Sequence, residues 1–274
     1  MHMNFLTEGF FQGQSLILLA AYAGLFTFLL NALGSTGVLM VDRINPKIFS
    51  VSLGTSGGIM IAASFWSLLD PALELTQKTY SLPFIPIVIG FVLGIILLRI
   101  IDQVVPHLHM ASLPTEQEGP KIPIRKGLLI LFAITIHNIP EGLAIGVSMG
   151  SSAEDSLLLR SALNLSLGIG FQNIPEGLAL ALALRQTGFS RRKSFFLGVI
   201  SAIVEPLFAT AGAYAVLLSH LLLPYALSLA AGAMIFVTIE ELLPEAQKYG
   251  NSDLSSIGFG VGFLLMMILD TSLG

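Results

Sequence analysis

Eight long apolar stretches constrain this chain more than any other feature of its sequence. They lie at about 15–40, 48–70, 84–104, 127–149, 160–184, 194–218, 221–246 and 255–273. A helix crosses the hydrocarbon core of a bilayer with roughly 20 apolar residues, which is the length of these stretches. A helix also satisfies its own backbone hydrogen bonds, as a spanning segment must. The sequence therefore predicts an all-α membrane protein with eight transmembrane helices in one transmembrane domain, 1–274.

The composition excludes a water-soluble globule. The chain is 54% hydrophobic and only 11% charged, with a mean hydropathy of +0.84, so its predicted environment is the lipid bilayer. Because the chain has no cysteine, a metal site must use nitrogen, oxygen or the thioether of methionine. No basic run with interleaved aromatic residues is present, and we expect no nucleic-acid partner.

One short phrase occurs twice, near the middle of the fourth and fifth stretches. His137-Asn-Ile-Pro-Glu-Gly-Leu-Ala returns from Gln172 onward with a single change at the first position. The first and fifth residues of each copy share a helix face, so His137 lies over Glu141 and Gln172 over Glu176. The proline between them removes a backbone donor and leaves a carbonyl free. Carboxylate, imidazole, amide and carbonyl groups are the ligands of a divalent cation.

Three carboxylates fall near the centres of predicted spans: Glu141, Glu176 and, in the sixth span, Glu205. An ionisable side chain at the bilayer centre costs roughly 2.5 to 3.5 kcal/mol even on mild insertion scales. One such glutamate is explained by hydrogen bonds between helices. Three of them beside a histidine favour a bound cation, which removes their mutual repulsion.

Consecutive spans run in opposite directions, so the two copies of the phrase are antiparallel. Their polar faces can then meet at mid-depth between helices four and five, in the kind of local inverted repeat that transporters use at their substrate sites. This arrangement predicts a metal site between those two helices.

The distribution of cations predicts the orientation. Of the 13 lysines and arginines, all except Lys78 and Arg160 fall in or beside the first, third, fifth and seventh loops. Lysine and arginine are retained on the cytoplasmic side, so these loops, including the long loop 105–126, are predicted to be cytoplasmic. Both termini then lie outside the cytoplasm.

A possible exit pathway lies at the cytoplasmic mouth, formed by His107, His109, Glu240 and Glu241. A transient metal stop and plain solvation explain these side chains equally well. Glycines at four-residue spacing, among them Gly90 with Gly94 and Gly258 with Gly262, favour close helix packing and permit a homodimer without requiring one.

Catalytic motifs such as H-E-x-x-H, G-x-S-x-G and the P-loop do not occur, so we expect no enzyme. Two alternatives stay open. One is an intramembrane metallohydrolase that uses the same metal to activate water. The other is a metal-binding sensor that does not transport.

The paired phrases, within eight spans and after a long loop, resemble those of the ZIP (Zrt-, Irt-like) metal transporters. The likeness extends over the whole chain. It implies a 3+2+3 bundle, in which helices one to three and six to eight are related by an inverted pseudo-twofold around helices four and five. It also implies transport of divalent metal into the cytoplasm by alternating access through a binuclear mid-membrane site. The expected metal is Zn²⁺, with Cd²⁺, Fe²⁺ or Mn²⁺ in some members.

Carried over by position, the resemblance implies two adjoining metal sites. The first consists of Met60, His137, Glu141, Gln172 and Glu176, and the second of Asn138, Glu141, Asn173, Glu176 and Glu205. Met60 enters on the resemblance alone, since a methionine in a span is most often a core residue. Many family members have histidine where this chain has Gln172, and an amide is a harder ligand than imidazole. Loop 105–126 lacks the histidine-rich tract typical of eukaryotic members and is brief beside theirs, which favours a prokaryotic protein of the bacterial inner membrane.

Overall fold

A computed structural model of the chain describes residues 15–41, 45–110, 112–152, 156–248 and 252–273. Within these ranges, eight helices are long and apolar enough to cross a membrane. Numbered α1 to α8 in chain order, they span Leu16–Leu39, Pro46–Gln77, Phe84–Val104, Lys126–Ser151, Leu157–Gln186, Arg191–Leu218, Leu223–Lys248 and Ser252–Ser272. Outside helices, the described residues form only an isolated bridge between His107 and Glu118. The prediction of an all-α protein with eight spans is confirmed.

The helices generally extend a few residues beyond the apolar stretches, because backbone hydrogen bonding continues through polar residues at the ends. The largest difference is in α2, which continues past residue 70 to Gln77. Both prolines of the repeated phrase lie inside uninterrupted helices. Arg43, one of the cations that predict the orientation, lies outside the described residues.

Three helices depart from regular α geometry within their length, and α1 ends in a 3₁₀ turn at Thr36–Leu39. Wider π-helical turns occur at Ser64–Leu69 in α2 and at Thr238–Leu242 in α7. The helix α6 is interrupted between its segments Arg191–Ser201 and Val204–Leu218. Such local irregularities are frequent at functional sites.

The packing of the helices has the pattern of an inverted twofold. The helix α2 packs along α8 as α7 packs along α3, and α1 packs along α5 as α6 packs along α4. Exchanging α1, α2 and α3 with α6, α7 and α8, and α4 with α5, leaves these pairs unchanged. The exchange also relates the π-helical turns of α2 and α7. Since α1 and α6 cross in opposite directions, this pattern fits the inverted 3+2+3 arrangement that the family resemblance implies.

Glycines make these close contacts possible. A Cβ on Gly90 would lie 2.5 Å from the carbonyl oxygen of Tyr225 in α7, and Gly258 and Gly262 of α8 press on the backbone of α2 in the same way. The glycine pattern therefore serves packing within the chain, as small residues at lipid-embedded interfaces do. These contacts give no support to a homodimer, which stays a prediction.

The helices α4 and α5 lie at the centre of the bundle. Most residues in their apolar cores are buried, whereas fewer than a third of those in α1, α3 and α8 are, and these three helices expose large apolar side chains suited to lipid. The two copies of the repeated phrase are therefore enclosed by the other six helices.

Candidate metal site

The repeated phrases bring three predicted ligands together at the centre of the bundle. His137 and Glu141 of α4 and Glu176 of α5 each offer a ligand atom, and these atoms all lie within 4.8 Å of one another. The three side chains are buried, with Glu141 fully so. The i, i+4 spacing places His137 Nε2 3.9 Å from Glu141 Oε1. The sequence-based prediction of a shared face is thus met in the geometry.

The spacing of these three residues suits a small cation after modest closure. Zinc binds nitrogen and oxygen at about 2.0–2.2 Å, which puts tetrahedral ligand atoms about 3.4 Å apart. Ligand atoms up to 4.8 Å apart would therefore have to move inward by about an ångström to bind one ion.

Gln172 bridges the two copies. Its side-chain Nε2 donates to Glu141 Oε1 over 2.6 Å, while Glu141 Oε2 and Gln172 Oε1 have no partner. An amide N–H cannot bind a cation, but the amide oxygen can. Gln172 therefore holds Glu141 in place through its nitrogen and keeps its oxygen available.

Glu205 joins the site through Asn173. The Asn173 Nδ2 donates to Glu205 Oε2 over 2.8 Å, and Glu205 Oε1 is left without a partner. The backbone of Glu205 lies against α4, where a Cβ on Gly142 would be 2.6 Å from the Glu205 carbonyl oxygen. The glycine after Glu141 thus lets α6 approach closely enough to place Glu205 beside the repeat.

Met60 is fully buried in α2. Its Sδ lies 3.5 Å from the hydroxyl oxygen of Thr238 in α7, and that hydroxyl donates over a shorter 2.7 Å to the Met234 carbonyl. Because the one hydroxyl proton is taken by the carbonyl, the sulfur lone pairs of Met60 stay available.

Unpartnered polar atoms concentrate at the predicted ligands. Among the described residues, most buried side-chain nitrogen and oxygen atoms without a hydrogen-bond partner belong to this group. They are His137 Nδ1 and Nε2, Asn138 Nδ2, Glu141 Oε2, Gln172 Oε1, Asn173 Oδ1, Glu176 Oε1 and Glu205 Oε1. Buried polar groups are normally satisfied, so such a cluster requires an explanation. Its oxygen and imidazole lone pairs fit a divalent cation.

A cleft leads from this group towards the end of the bundle that carries loop 105–126. It is lined by His137, Glu176, Ala133, Ala179, Glu241 and His109, among others. Glu241 Oε2 lies 3.7 Å from His137 Nδ1 and 4.0 Å from His109 Nδ1. Polar side chains therefore connect the centre of the bundle with the loop.

The loop holds a second group of potential ligands. His107, His109 and Glu118 offer ligand atoms within 4.8 Å of one another, and His109 Nε2 lies 3.2 Å from Glu118 Oε1. Reciprocal backbone hydrogen bonds between His107 and Glu118 form this corner of the loop. Sequence reasoning named the histidines and missed Glu118, because a glutamate in a polar loop has no periodicity that predicts its neighbours.

Two adjacent glutamates of α7 have different surroundings. Glu241 is buried between the two histidines, whereas Glu240 is partly exposed and lies 4.0 Å from Arg99. Both stand in the π-helical turn that begins at Thr238. Glu240 thus approaches Arg99 of α3, whereas Glu241 approaches His137 and His109.

The family model described as "ZIP Zinc transporter" matches residues 115–270 of the chain. That range contains both copies of the phrase, Glu205 and the glutamates of α7.

Several curated relatives match over nearly the whole chain. "Zinc transporter ZIP11" of Homo sapiens is 35% identical, over 96% of this chain and 99% of the relative. "Zinc transporter GufA" of Myxococcus xanthus is 36% identical, over 92% of this chain and 99% of the relative. "Zinc transporter ZIPB" of Bordetella bronchiseptica is 36% identical, over 93% and 81%. Relatives come from animals and bacteria alike, so the prokaryotic origin stays a prediction.

Proposed function

Because the chain belongs to the ZIP family of zinc transporters, we propose that it carries Zn²⁺ across the membrane into the cytoplasm. The observation that carries this proposal is the group of His137, Glu141 and Glu176, which two antiparallel helices bring together in the bundle centre. A family of transporters is not a family of enzymes, and neither the metallohydrolase nor the sensor alternative is favoured by these relatives.

The proposed first site consists of Met60, His137, Glu141, Gln172 and Glu176. The unpartnered atoms of His137, Glu141, Gln172 and Glu176 support this set. The proposed second site uses Asn138, Asn173 and Glu205 together with the same two glutamates. The hydrogen bond from Asn173 to Glu205 supports their proximity. Because Glu141 and Glu176 belong to both proposed sites, an ion could pass from one site to the other while these glutamates keep hold of it.

The donors of these sites suit zinc and leave room for related ions. Imidazole and thioether favour softer ions such as Cd²⁺, whereas carboxylate and amide oxygens accept Mn²⁺ and Fe²⁺. We propose Zn²⁺ as the main substrate, with Cd²⁺, Fe²⁺ and Mn²⁺ as competitors.

The ion is proposed to leave through the cleft on the loop side. Glu241 and His109 line this cleft, and the group of His107, His109 and Glu118 stands at its end. Each step along this path exchanges one carboxylate or imidazole for another, so the ion is never without ligands. We propose that the described state, in which this cleft lies between the central group and the loop, is one of the two that alternating access requires.

Zinc influx into sealed proteoliposomes tests the transport proposal. Zinc is followed with a trapped fluorescent indicator, and cadmium, manganese and iron are added as competitors. We expect saturable influx that His137→Ala removes. Ser228→Ala is the matched control, because it deletes a buried hydroxyl whose bond stays within α7. Tight zinc binding by the wild type without influx would contradict transport.

The orientation has its own test. The chain has no cysteine, so a single Glu116→Cys variant reports only on loop 105–126. We propose that this loop is cytoplasmic, that both termini lie outside and that the protein resides in a bacterial inner membrane. A membrane-impermeant thiol reagent should therefore leave intact cells unlabelled and label lysed cells. Labelling of intact cells would reverse the orientation.

A further inference from the structure

The helix α6 is interrupted immediately before Glu205. Pro206 has no N–H, so the carbonyl of Ala202 cannot receive its usual helical bond and accepts from Glu205 N instead. The N–H of Ala202 in turn bonds to the Val199 carbonyl over 3.3 Å, one residue short of the helical partner Gly198. The break thus leaves the carbonyl of Gly198 without its regular backbone donor.

Asn31 of α1 supplies the missing donor. Its Nδ2 donates to the Gly198 carbonyl oxygen over 2.9 Å, from a side chain that is only 2% exposed. The hydroxyl of Ser201 donates to the same oxygen over 2.8 Å. A buried carbonyl without a donor costs about 1–3 kcal/mol, so these two bonds stabilise the interrupted form of α6.

Asn31 also lies against the helix that carries Glu176. A Cβ on Gly177 would be 2.7 Å from Asn31 Oδ1, and Ser35, one turn further along α1, donates to the Gly177 carbonyl over 3.1 Å. The side chain of Asn31 therefore contacts the residue after Glu176 and bonds to the segment of α6 that precedes the break and Glu205.

The internal twofold gives Asn31 a counterpart. Gly142 follows Glu141 and meets the backbone of Glu205, just as Gly177 follows Glu176 and meets the backbone of Asn31. The residue beside the glycine is thus the carboxylate Glu205 in one half of the repeat and the amide Asn31 in the other. The amide N–H of Asn31 donates to the Gly198 carbonyl of α6.

We propose that Asn31 is a positioning residue for the metal site: it holds the break in α6 so that Glu205 stays at a set distance from Glu176. Asn31 touches no metal in this role and acts through Glu205. The inference rests on the proposed transport function, since it assigns Glu205 to the ion.

A double-mutant cycle on equilibrium zinc binding tests the inference. The purified variants are Asn31→Leu, Glu205→Ala and the pair, and zinc influx is measured alongside. Asn31→Leu keeps the volume and removes the donor. We expect it to weaken zinc binding about fivefold to tenfold, and to add less than about twofold when Glu205→Ala is already present. Ser166→Ala is the control, because it removes a buried hydroxyl whose bond stays within α5, and it should bind zinc as the wild type does.

Each outcome has a defined meaning. Wild-type affinity in Asn31→Leu, or effects that multiply in the pair, would overturn the positioning role. If Asn31→Leu does not fold, Ser201→Ala is used, because it removes the other donor to the Gly198 carbonyl. Ser201→Ala should weaken zinc binding by about twofold to threefold. Added to Glu205→Ala, it should weaken binding no further than Glu205→Ala alone. Unchanged binding in Ser201→Ala then overturns the inference. A wild type that neither binds nor transports zinc overturns the proposed function itself.

Discussion

The two copies of the repeated phrase have nearly the same sequence and different surroundings. In α4, His137 faces Glu241 and the cleft, and the side-chain nitrogen of Asn138 has no hydrogen-bond partner. In α5, Gln172 donates to Glu141, and Asn173 donates to Glu205. At the asparagines the difference lies in the neighbouring helices, because α6 presents Glu205 where α1 presents Asn31. At the first position it lies in the exchange of histidine for glutamine. An internal repeat thus builds a pseudo-symmetric frame in which single substitutions assign different tasks to matching positions.

The largest expected effect is at the two glutamates, Glu141 in the first copy and Glu176 in the second. Glu141→Ala and Glu176→Ala should each reduce zinc influx by roughly a hundredfold or more, since each removes a charge from a buried site that must hold a dication. Influx into proteoliposomes, normalised to folded protein by size-exclusion chromatography, checks this. Asp253→Asn, at an exposed acidic position outside the site, is the control. Wild-type flux in either folded variant would remove that copy from the site.

The glycines that follow these glutamates test whether the two copies have equivalent packing. Gly142→Ala and Gly177→Ala should each destabilise the protein by about 1–3 kcal/mol, because the added methyl group meets the backbone of a neighbouring helix. Thermal unfolding in detergent measures the effect. At Gly260 a Cβ meets nothing within 4 Å, so Gly260→Ala should unfold no earlier than the wild type, since alanine favours a helix more than glycine does. A harmless substitution at only one of the two sites would show that the twofold does not extend to these contacts.

Replacing the first residue of one copy by the first residue of the other makes the two phrases identical. Gln172→His adds an imidazole and should tighten zinc binding by about tenfold, while His137→Gln should weaken it by a similar factor. Zinc and manganese affinities of the purified variants give the measurement, and the zinc preference should rise in the first variant and fall in the second. Wild-type affinities in both Gln172→His and His137→Gln would mean that neither position contacts the ion.

The smallest expected effect lies at the loop. His109→Ala should slow zinc influx by about twofold to fivefold without changing the affinity of the central site, because it removes one of several ligands along the exit. Stopped-flow influx separates the maximal rate from the KM. The matched variant Glu116→Gln changes an exposed acid of the same loop and should have no effect. A changed KM in His109→Ala would place this histidine in the central site.

Much of the candidate site could be predicted from the sequence because its residues stand in a local pattern. The spacing of His137 and Glu141 within one helix sets their shared face, and the repeat predicts that Glu176 meets them from an antiparallel neighbour. Glu118 and Asn31 could not be found in this way. The partners of Glu118, His109 and His107, lie nine and eleven residues away across an irregular loop. The Gly198 carbonyl that Asn31 binds is 167 residues away.

The sequence by itself determined the eight spans, the central phrase and the donor types, because apolar length and helical spacing act over a few turns. The tertiary structure alone decided that Glu241 approaches His137 while Glu240 approaches Arg99, and that the break in α6 receives a donor from α1. These outcomes depend on which helices pack together and on the π-helical turn of α7. Such contacts join segments far apart in the chain, where no local periodicity predicts which side chains will meet.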